Sequence, residues 1–125
     1  MQDSKILVVD DDLMIRDMLY DFLQEKGYDV VSAADSSSAI TAVNSRKFDA
    51  IILDFKLPEV DGITLMARVK QKYPKIPIIM ITGYPSESSR DQAYQSGAAA
   101  FIEKPFKVTK LVATLKRAIR ESKRA

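Results

Sequence analysis

The chain contains no cysteine and no histidine among its 125 residues. Without cysteine there is no disulfide, no thiolate nucleophile and no Cys-type zinc site. Without histidine there is no Ser-His-Asp catalysis, no imidazole metal ligand and no histidine phosphodonor. Long apolar stretches are missing as well, since none approaches the roughly 18 residues of a membrane helix. The polar opening Met1-Gln2-Asp3-Ser4 runs directly into a strand-like segment rather than a signal-peptide core. A soluble, cytoplasmic chain is expected. A charge surplus is also lacking: 19 Lys and Arg against 17 Asp and Glu leave +2, weak grounds for nucleic-acid binding over the whole surface. Whatever chemistry the chain performs must use carboxylates, hydroxyls and lysines. The length suits one core, so one domain is expected over residues 1–125, with about 120–125 as a place where a linker could start.

What is present is a strict alternation of two periodicities. Lys5-Ile6-Leu7-Val8-Val9 is an apolar, β-branched run stopped by three aspartates, the pattern of a buried strand. Ile15, Leu19, Phe22 and Leu23 then recur at helical spacing between Leu13 and Lys26, with Gly27 as the cap residue. Val30–Ala33 is a second strand, and Asp35 to Ser38 supply N-cap candidates for a helix to about Ser45. Ala50–Leu53 ends at Asp54, followed by a turn-rich loop through Gly62 and a helix over about Ile63–Lys72. Ile78–Thr82, a helix ending at Gly97, a strand at Ala99–Ile102 and a final helix carrying Val108, Leu111, Val112, Leu115 and Ile119 complete the series. Five strands apolar on both faces, alternating with five helices, predict a doubly wound α/β fold: a parallel sheet covered on both sides. In such sheets the ligand site lies beyond the carboxyl ends of the strands.

Four polar features fall at those ends: Asp10-Asp11-Asp12, Asp54, Thr82 and Lys104. Any one of them alone could be an ordinary turn former, and Asp12 could serve only as a helix N-cap. Their convergence on one edge needs a further reason. Two carboxylates about 4 Å apart repel by roughly 4 kcal/mol at an effective dielectric near 20, so Asp10 or Asp11 beside Asp54 requires compensation. A hard divalent cation supplies it, and an all-oxygen donor set suits Mg2+, with Mn2+ as an acceptable substitute. A carboxylate can also attack phosphorus, because phosphoryl transfer depends chiefly on alignment and on neutralising the transferred oxygens. Asp54 is the candidate nucleophile, with Mg2+, the Lys104 ammonium and the Thr82 hydroxyl each matched to one phosphoryl oxygen.

Lys5-Ile-Leu-Val-Val-Asp10-Asp11, Leu53-Asp54 with Pro58 and Asp61-Gly62, Thr82-Gly83 and Lys104-Pro105-Phe106, in this order over essentially the whole chain, resemble the response-regulator receiver domains of two-component signalling. The resemblance implies a flavodoxin-like three-layer sheet ordered 2-1-3-4-5, with Asp10, Asp11, Asp54 and the Lys56 carbonyl placing Mg2+. It implies that Asp54 takes phosphate from a histidine kinase or phosphotransfer protein, and that Thr82 and Lys104 sense it. It also implies a cis Lys104-Pro105 bond. Phe101 stands where receivers carry a residue that turns inward as Thr82 moves, reshaping the surface of the fourth helix, fifth strand and fifth helix for an output partner or attached output domain. Many relatives have tyrosine there; Phe101 has no hydroxyl, so burial alone would bias it. Lys56 and Tyr84 resemble gates on hydrolysis of the acyl phosphate. Such a domain is a phosphoacceptor rather than a turnover enzyme, and a phosphorylation-dependent homodimer is an arrangement the sequence leaves open.

Receivers often place Asp or Thr just after the Lys-Pro-Phe element, whereas this chain has Lys107, so capping of the last helix is expected to shift to Thr109. Lys107, Lys110, Lys116, Arg117, Arg120, Lys123 and Arg124 read most simply as a solvated face, otherwise as a docking surface for an acidic partner. A degenerate receiver would have lost the acidic pair, the acceptor or the lysine; a haloacid-dehalogenase-type phosphatase would need an acid where Lys56 stands; a flavin phosphate would be repelled by the acidic triplet. Direct DNA binding is not expected of a chain with no helix-turn-helix left unassigned.

Overall fold

The apolar runs do form strands, and the helical repeats form helices. In the computed structural model, which describes residues 4–124, the order is β1 (Lys5–Val9), α1 (Leu13–Glu25), β2 (Asp29–Ala33), α2 (Ser36–Ser45), β3 (Ala50–Asp54), α3 (Gly62–Lys72), β4 (Ile78–Thr82), α4 (Glu87–Gln95), β5 (Ala100–Glu103) and α5 (Val108–Arg124). Met1 to Asp3 and Ala125, at the two edges of the expected domain, lie outside the described residues. The five strands make one parallel sheet in the order β2-β1-β3-β4-β5, the order the resemblance implied.

The two-residue period of the strands divides the core between two faces. Ile6, Val8, Ile52, Ile79 and Ile81 point to one side and meet Leu19 and Leu23 of α1 and Leu111, Leu115 and Ile119 of α5. Leu7, Val9, Ile51, Leu53, Ile78 and Met80 point to the other and meet Val43 of α2, Leu65, Met66 and Val69 of α3 and Ala93 of α4. Each such side chain, removed from water, contributes about 1.5–3 kcal/mol, and the apolar residues of β3 and β4 are all buried. Among the described residues no helix is long and apolar enough to cross a membrane.

Short polar side chains start the helices. Asp12, Asp35 and Asp61 accept from the backbone N–H of Met14 (2.9 Å), Ser38 (2.8 Å) and Thr64 (2.8 Å), and Ser86 forms a reciprocal capping box with Ser89. Gly27 and Gly97 follow α1 and α4 with φ of 95° and 109°. The last helix departs from expectation. It begins at Val108, one residue ahead of Thr109, so Thr109 lies within the first turn and is not the cap; the Lys107 carbonyl accepts from the N–H groups of Lys110 and Leu111. The same helix continues through Arg124, so the stretch from Arg120 is helical. Strand boundaries also differ from the sequence reading: β2 begins one residue earlier, at Asp29, and β5 one later, at Ala100. β3 includes Asp54, paired with Ile81, and β5 ends at Glu103, paired with Thr82. A hydrophobicity pattern stops at the first polar residue, whereas the hydrogen-bonded ladder does not.

That extension fixes the backbone of the acceptor candidate. The Phe55 N–H donates to the Ile81 carbonyl (2.8 Å), and the Phe55 carbonyl accepts from the Gly62 N–H (2.6 Å), which folds the β3–α3 loop tightly back. A Cβ on Gly62 would sit 2.7 Å from the Asp54 carbonyl oxygen and 3.0 Å from Phe55 Cα, both backbone atoms with nowhere to go. Gly62→Ala is expected to destabilise the fold by about 1–3 kcal/mol in urea denaturation. An unchanged midpoint would show that the loop is free to move away.

Candidate functional site

The sheet brings the carboxyl ends of β1, β3, β4 and β5 to one edge, and with them the residues singled out in the sequence. Asp10, Asp11 and Asp54 each present a carboxylate oxygen within 4.8 Å of the others. Asp10 is completely buried and Asp54 nearly so, while Asp11 is exposed and opens the cluster to solvent. Lys104 reaches into the same space, its Nζ 2.9 Å from Asp10 Oδ2 and 3.2 Å from Asp54 Oδ2. The Lys104-Pro105 bond is cis. Asp12 is set apart from the cluster by its role as the α1 cap.

The two buried acids are each held by several contacts. Asp10 Oδ1 accepts from the Asp12 N–H (2.9 Å), and the Asp10 carbonyl accepts from Arg16 Nη1 (2.8 Å). Asp54 Oδ1 accepts from the Lys56 N–H (3.2 Å) and Oδ2 from Lys104. Asp10 Oδ2 is different. It is buried and close to the Lys104 ammonium, but no donor is aligned on it as a hydrogen bond, so the ion pair balances its charge without satisfying its lone pairs.

The electrostatics follow from this crowding. Burial, then the neighbouring Asp10 carboxylate, push Asp54 up to about 6, against the opposing pull of Lys104 and the Lys56 N–H. Desolvation draws the Lys104 ammonium down, but the Asp10 and Asp54 carboxylates outweigh it and its pKa is raised. Three carboxylates around one ammonium leave the site two negative charges in excess when all are ionised. A divalent cation closes that balance, and the all-oxygen donors together with the orphaned Asp10 Oδ2 fit Mg2+.

Thr82 is buried at the end of β4, and its Oγ1 accepts from the Tyr84 N–H (3.1 Å), leaving the hydroxyl proton available. Tyr84 is 74% exposed, yet it is not isolated, because Lys56 Nζ lies 4.8 Å from the centre of its ring. Together with Asp11, Asp54, Gly83 and Lys104 these two residues line an open cleft of about 500 Å³. Phe101 lies outside that cleft, half-buried on β5. Its ring meets Phe55 edge-on, with centroids 6.3 Å apart, and the Arg90 guanidinium carbon lies 5.9 Å from its centre. Arg16, Phe55 and Arg90 were not anticipated, and a contact between elements leaves no mark in local spacing. On α5, Lys110, Lys116, Arg117, Arg120, Lys123 and Arg124 are all exposed, and none forms an ion pair with another described residue, as a solvated face would have it.

Residues 6–116 match the model of the response regulator receiver domain. An NtrX-like response regulator of Rickettsia felis is 35% identical over 125 residues, covering 98% of this chain and 26% of that protein. The DNA-binding transcriptional regulator NtrC of Proteus hauseri is 32% identical, covering 95% and 25%. The chain thus spans about a quarter of the length of these curated relatives. Among solved structures, a CheY-like receiver domain protein of Methanospirillum hungatei superposes with a TM-score of 0.94 at 30% identity, covering 98% of both chains. NtrX of Brucella abortus gives 0.92 at 36%, covering 98% of this chain and 28% of that one.

The raised Asp54 pKa sets a sign for pH dependence in the absence of divalent cations. A carboxyl that binds its proton more tightly folded than unfolded contributes stability fully present below about pH 4, which is lost as pH rises through about 6. Asp54→Asn should therefore be more stable than the wild type by about 1–2 kcal/mol at pH 7 in chelator, with the difference vanishing near pH 4. Urea titrations at both pH values check this; a variant less stable at pH 7 would contradict it.

Proposed function

The chain belongs to the response regulator receiver domain family, and from that premise we propose that it is a phosphorylation switch whose acceptor is Asp54. The observation that carries the reading is the meeting of Asp10, Asp11 and Asp54 within 4.8 Å, with Lys104 spanning Asp10 and Asp54. Asp10, Asp11, Asp54 and the Lys56 carbonyl would hold Mg2+. When bound, the ion neutralises the acids and draws charge from a phosphoryl oxygen.

In the proposed step, an Asp54 carboxylate oxygen attacks the phosphorus of a phosphohistidine in line. The new P–O bond forms as the P–N bond breaks, and the departing imidazole takes up a proton. Asp54 suits this task, because a pKa of about 6 leaves it mostly ionised at neutral pH yet more basic than an exposed aspartate. Lys104, already against Asp54 Oδ2, would follow the negative charge onto the phosphoryl group. The Thr82 hydroxyl proton would donate to another phosphoryl oxygen, and the change at Thr82 would pass to Phe101 and the surface formed by α4, β5 and α5. The donor on this reading is a histidine kinase or phosphotransfer protein, the recipient an output partner or attached output domain, and the setting the cytoplasm. Phosphorylation-dependent pairing of two copies belongs to the same proposal.

Lys56 and Tyr84 are proposed as the gate on hydrolysis. The Lys56 ammonium lies over the Tyr84 ring and both residues line the cleft that holds Asp54, where their bulk would hinder a water approaching the acyl phosphate.

Two outcomes are expected. Incubation with acetyl phosphate and Mg2+ should add one phosphoryl mass to the intact protein, and the adduct should be lost in Asp54→Ala and without Mg2+; an equal adduct in the variant would overturn the assignment. The phosphorylated Lys56→Ala/Tyr84→Ala double variant should decay several-fold faster than wild type in a mass-based time course. An unchanged half-life would remove the gate.

A further inference from the structure

Phe101 has two walls of unequal firmness. Phe55, which meets it edge-on at an interplanar angle of 83°, directly follows Asp54 and has both backbone groups bonded, the N–H to Ile81 and the carbonyl to Gly62. That wall is fixed to the sheet. The other wall is Arg90, in the first turn of α4, whose guanidinium carbon is 5.9 Å from the Phe101 ring centre. Arg90 is held there by Glu103, two residues along β5, with Nη2 to Oε1 at 3.6 Å. The aromatic ring thus touches both a residue joined to Asp54 and a cation carried on a separate helix.

We propose that Arg90 is a positioning residue for Phe101: with Glu103 it holds the ring in its resting orientation, and releasing Arg90 frees the ring to take the orientation reached on phosphorylation. The inference rests on the reading of Phe101 as a switch residue. A phenyl ring has no hydroxyl with which to hold either orientation, so its polar restraint must come from outside, and the face of the ring offers only its quadrupole. Arg90 supplies the matching charge. Both ion-pair partners are about half exposed, so the hold is weak, and a weak hold suits a switch whose two states lie close in free energy. An exposed cation–π contact changes a two-state population about two- to five-fold.

The test uses the full chain labelled with 4-fluorophenylalanine, its five phenylalanine signals resolved by fluorine NMR and that of residue 101 identified with Phe101→Leu. Spectra are taken at rest and after acetyl phosphate with Mg2+, for wild type, Arg90→Ala, Arg90→Lys and Glu103→Gln. At rest, Arg90→Ala should raise the population at the phosphorylated wild-type position about two- to five-fold. Glu103→Gln and Arg90→Lys should shift it less, and signals remote from the ring should stay in place. An Arg90→Ala resting spectrum identical to wild type, when the wild type does respond to phosphorylation, overturns the role of Arg90 and leaves the switch standing. A residue 101 signal unmoved in phosphorylated wild type, with the adduct verified by mass, overturns the switch and the role of Arg90 with it. Equal movement of all five signals in Arg90→Ala means general loosening and overturns a positioning role.

Discussion

Three carboxylates meet at the edge of the sheet with one ammonium between two of them, and much of the structure exists to keep them there. Asp10, Asp11 and Asp54 would separate if their backbones were free, since two such charges about 4 Å apart repel by roughly 4 kcal/mol even in a partly polarised environment. They are not free. Asp10 follows a strand buried from Ile6 to Val9, Asp54 is part of the β3–β4 ladder, and Gly62 seals the loop behind it with backbone-to-backbone contact. Lys104 comes from the opposite edge of the site and offsets part of the repulsion. The apolar layers on both faces of the sheet are the source of the free energy that holds this unfavourable grouping in place, and burial of Asp54, with the Asp10 carboxylate beside it, raises its pKa.

The same rigidity gives the site its reach. A backbone anchored at Asp54 is also anchored at Phe55, and Thr82 both closes β4 and accepts from the Tyr84 N–H, so a change at the acids meets firmly held neighbours rather than loose loops. The softer contacts are all on the outside: Lys56 over Tyr84, and Arg90 over Phe101. A stiff centre with weakly restrained aromatic residues around it is a reasonable architecture for a two-state element biased by a single charged group.

Much of this was legible in the residues. The β-branched runs marked the five strands and the period near 3.6 marked α1 and α5, while caps, turn residues and the strict alternation placed the three helices between. The topological rule that ligands lie at the carboxyl ends then gathered Asp10, Asp11, Asp54, Thr82 and Lys104 before any coordinate was known. What could not be read was of two kinds. Boundaries at polar residues slipped, as at Asp54 and Glu103, because pairing continues where hydrophobicity stops, and Lys107 began a helix through its carbonyl where a Thr109 side chain was expected. Contacts between elements distant in sequence, such as Arg16 on the Asp10 carbonyl or Arg90 on Phe101, depend on helix orientation and rotamer, which no local pattern encodes.

The excess of negative charge is the central claim, and the dependence of stability on Mg2+ measures it directly. If the acids are a cation site, the urea midpoint of the wild type at pH 7 should rise with added Mg2+ and then climb with its logarithm, gaining about 1–3 kcal/mol by about 10 mM. Asp11→Asn, at the exposed acid, should lose most of that response while remaining folded. A midpoint indifferent to Mg2+ in the wild type, or an Asp11→Asn response equal to it, would mean that the lysine alone balances the cluster and that the proposed ion has no place there.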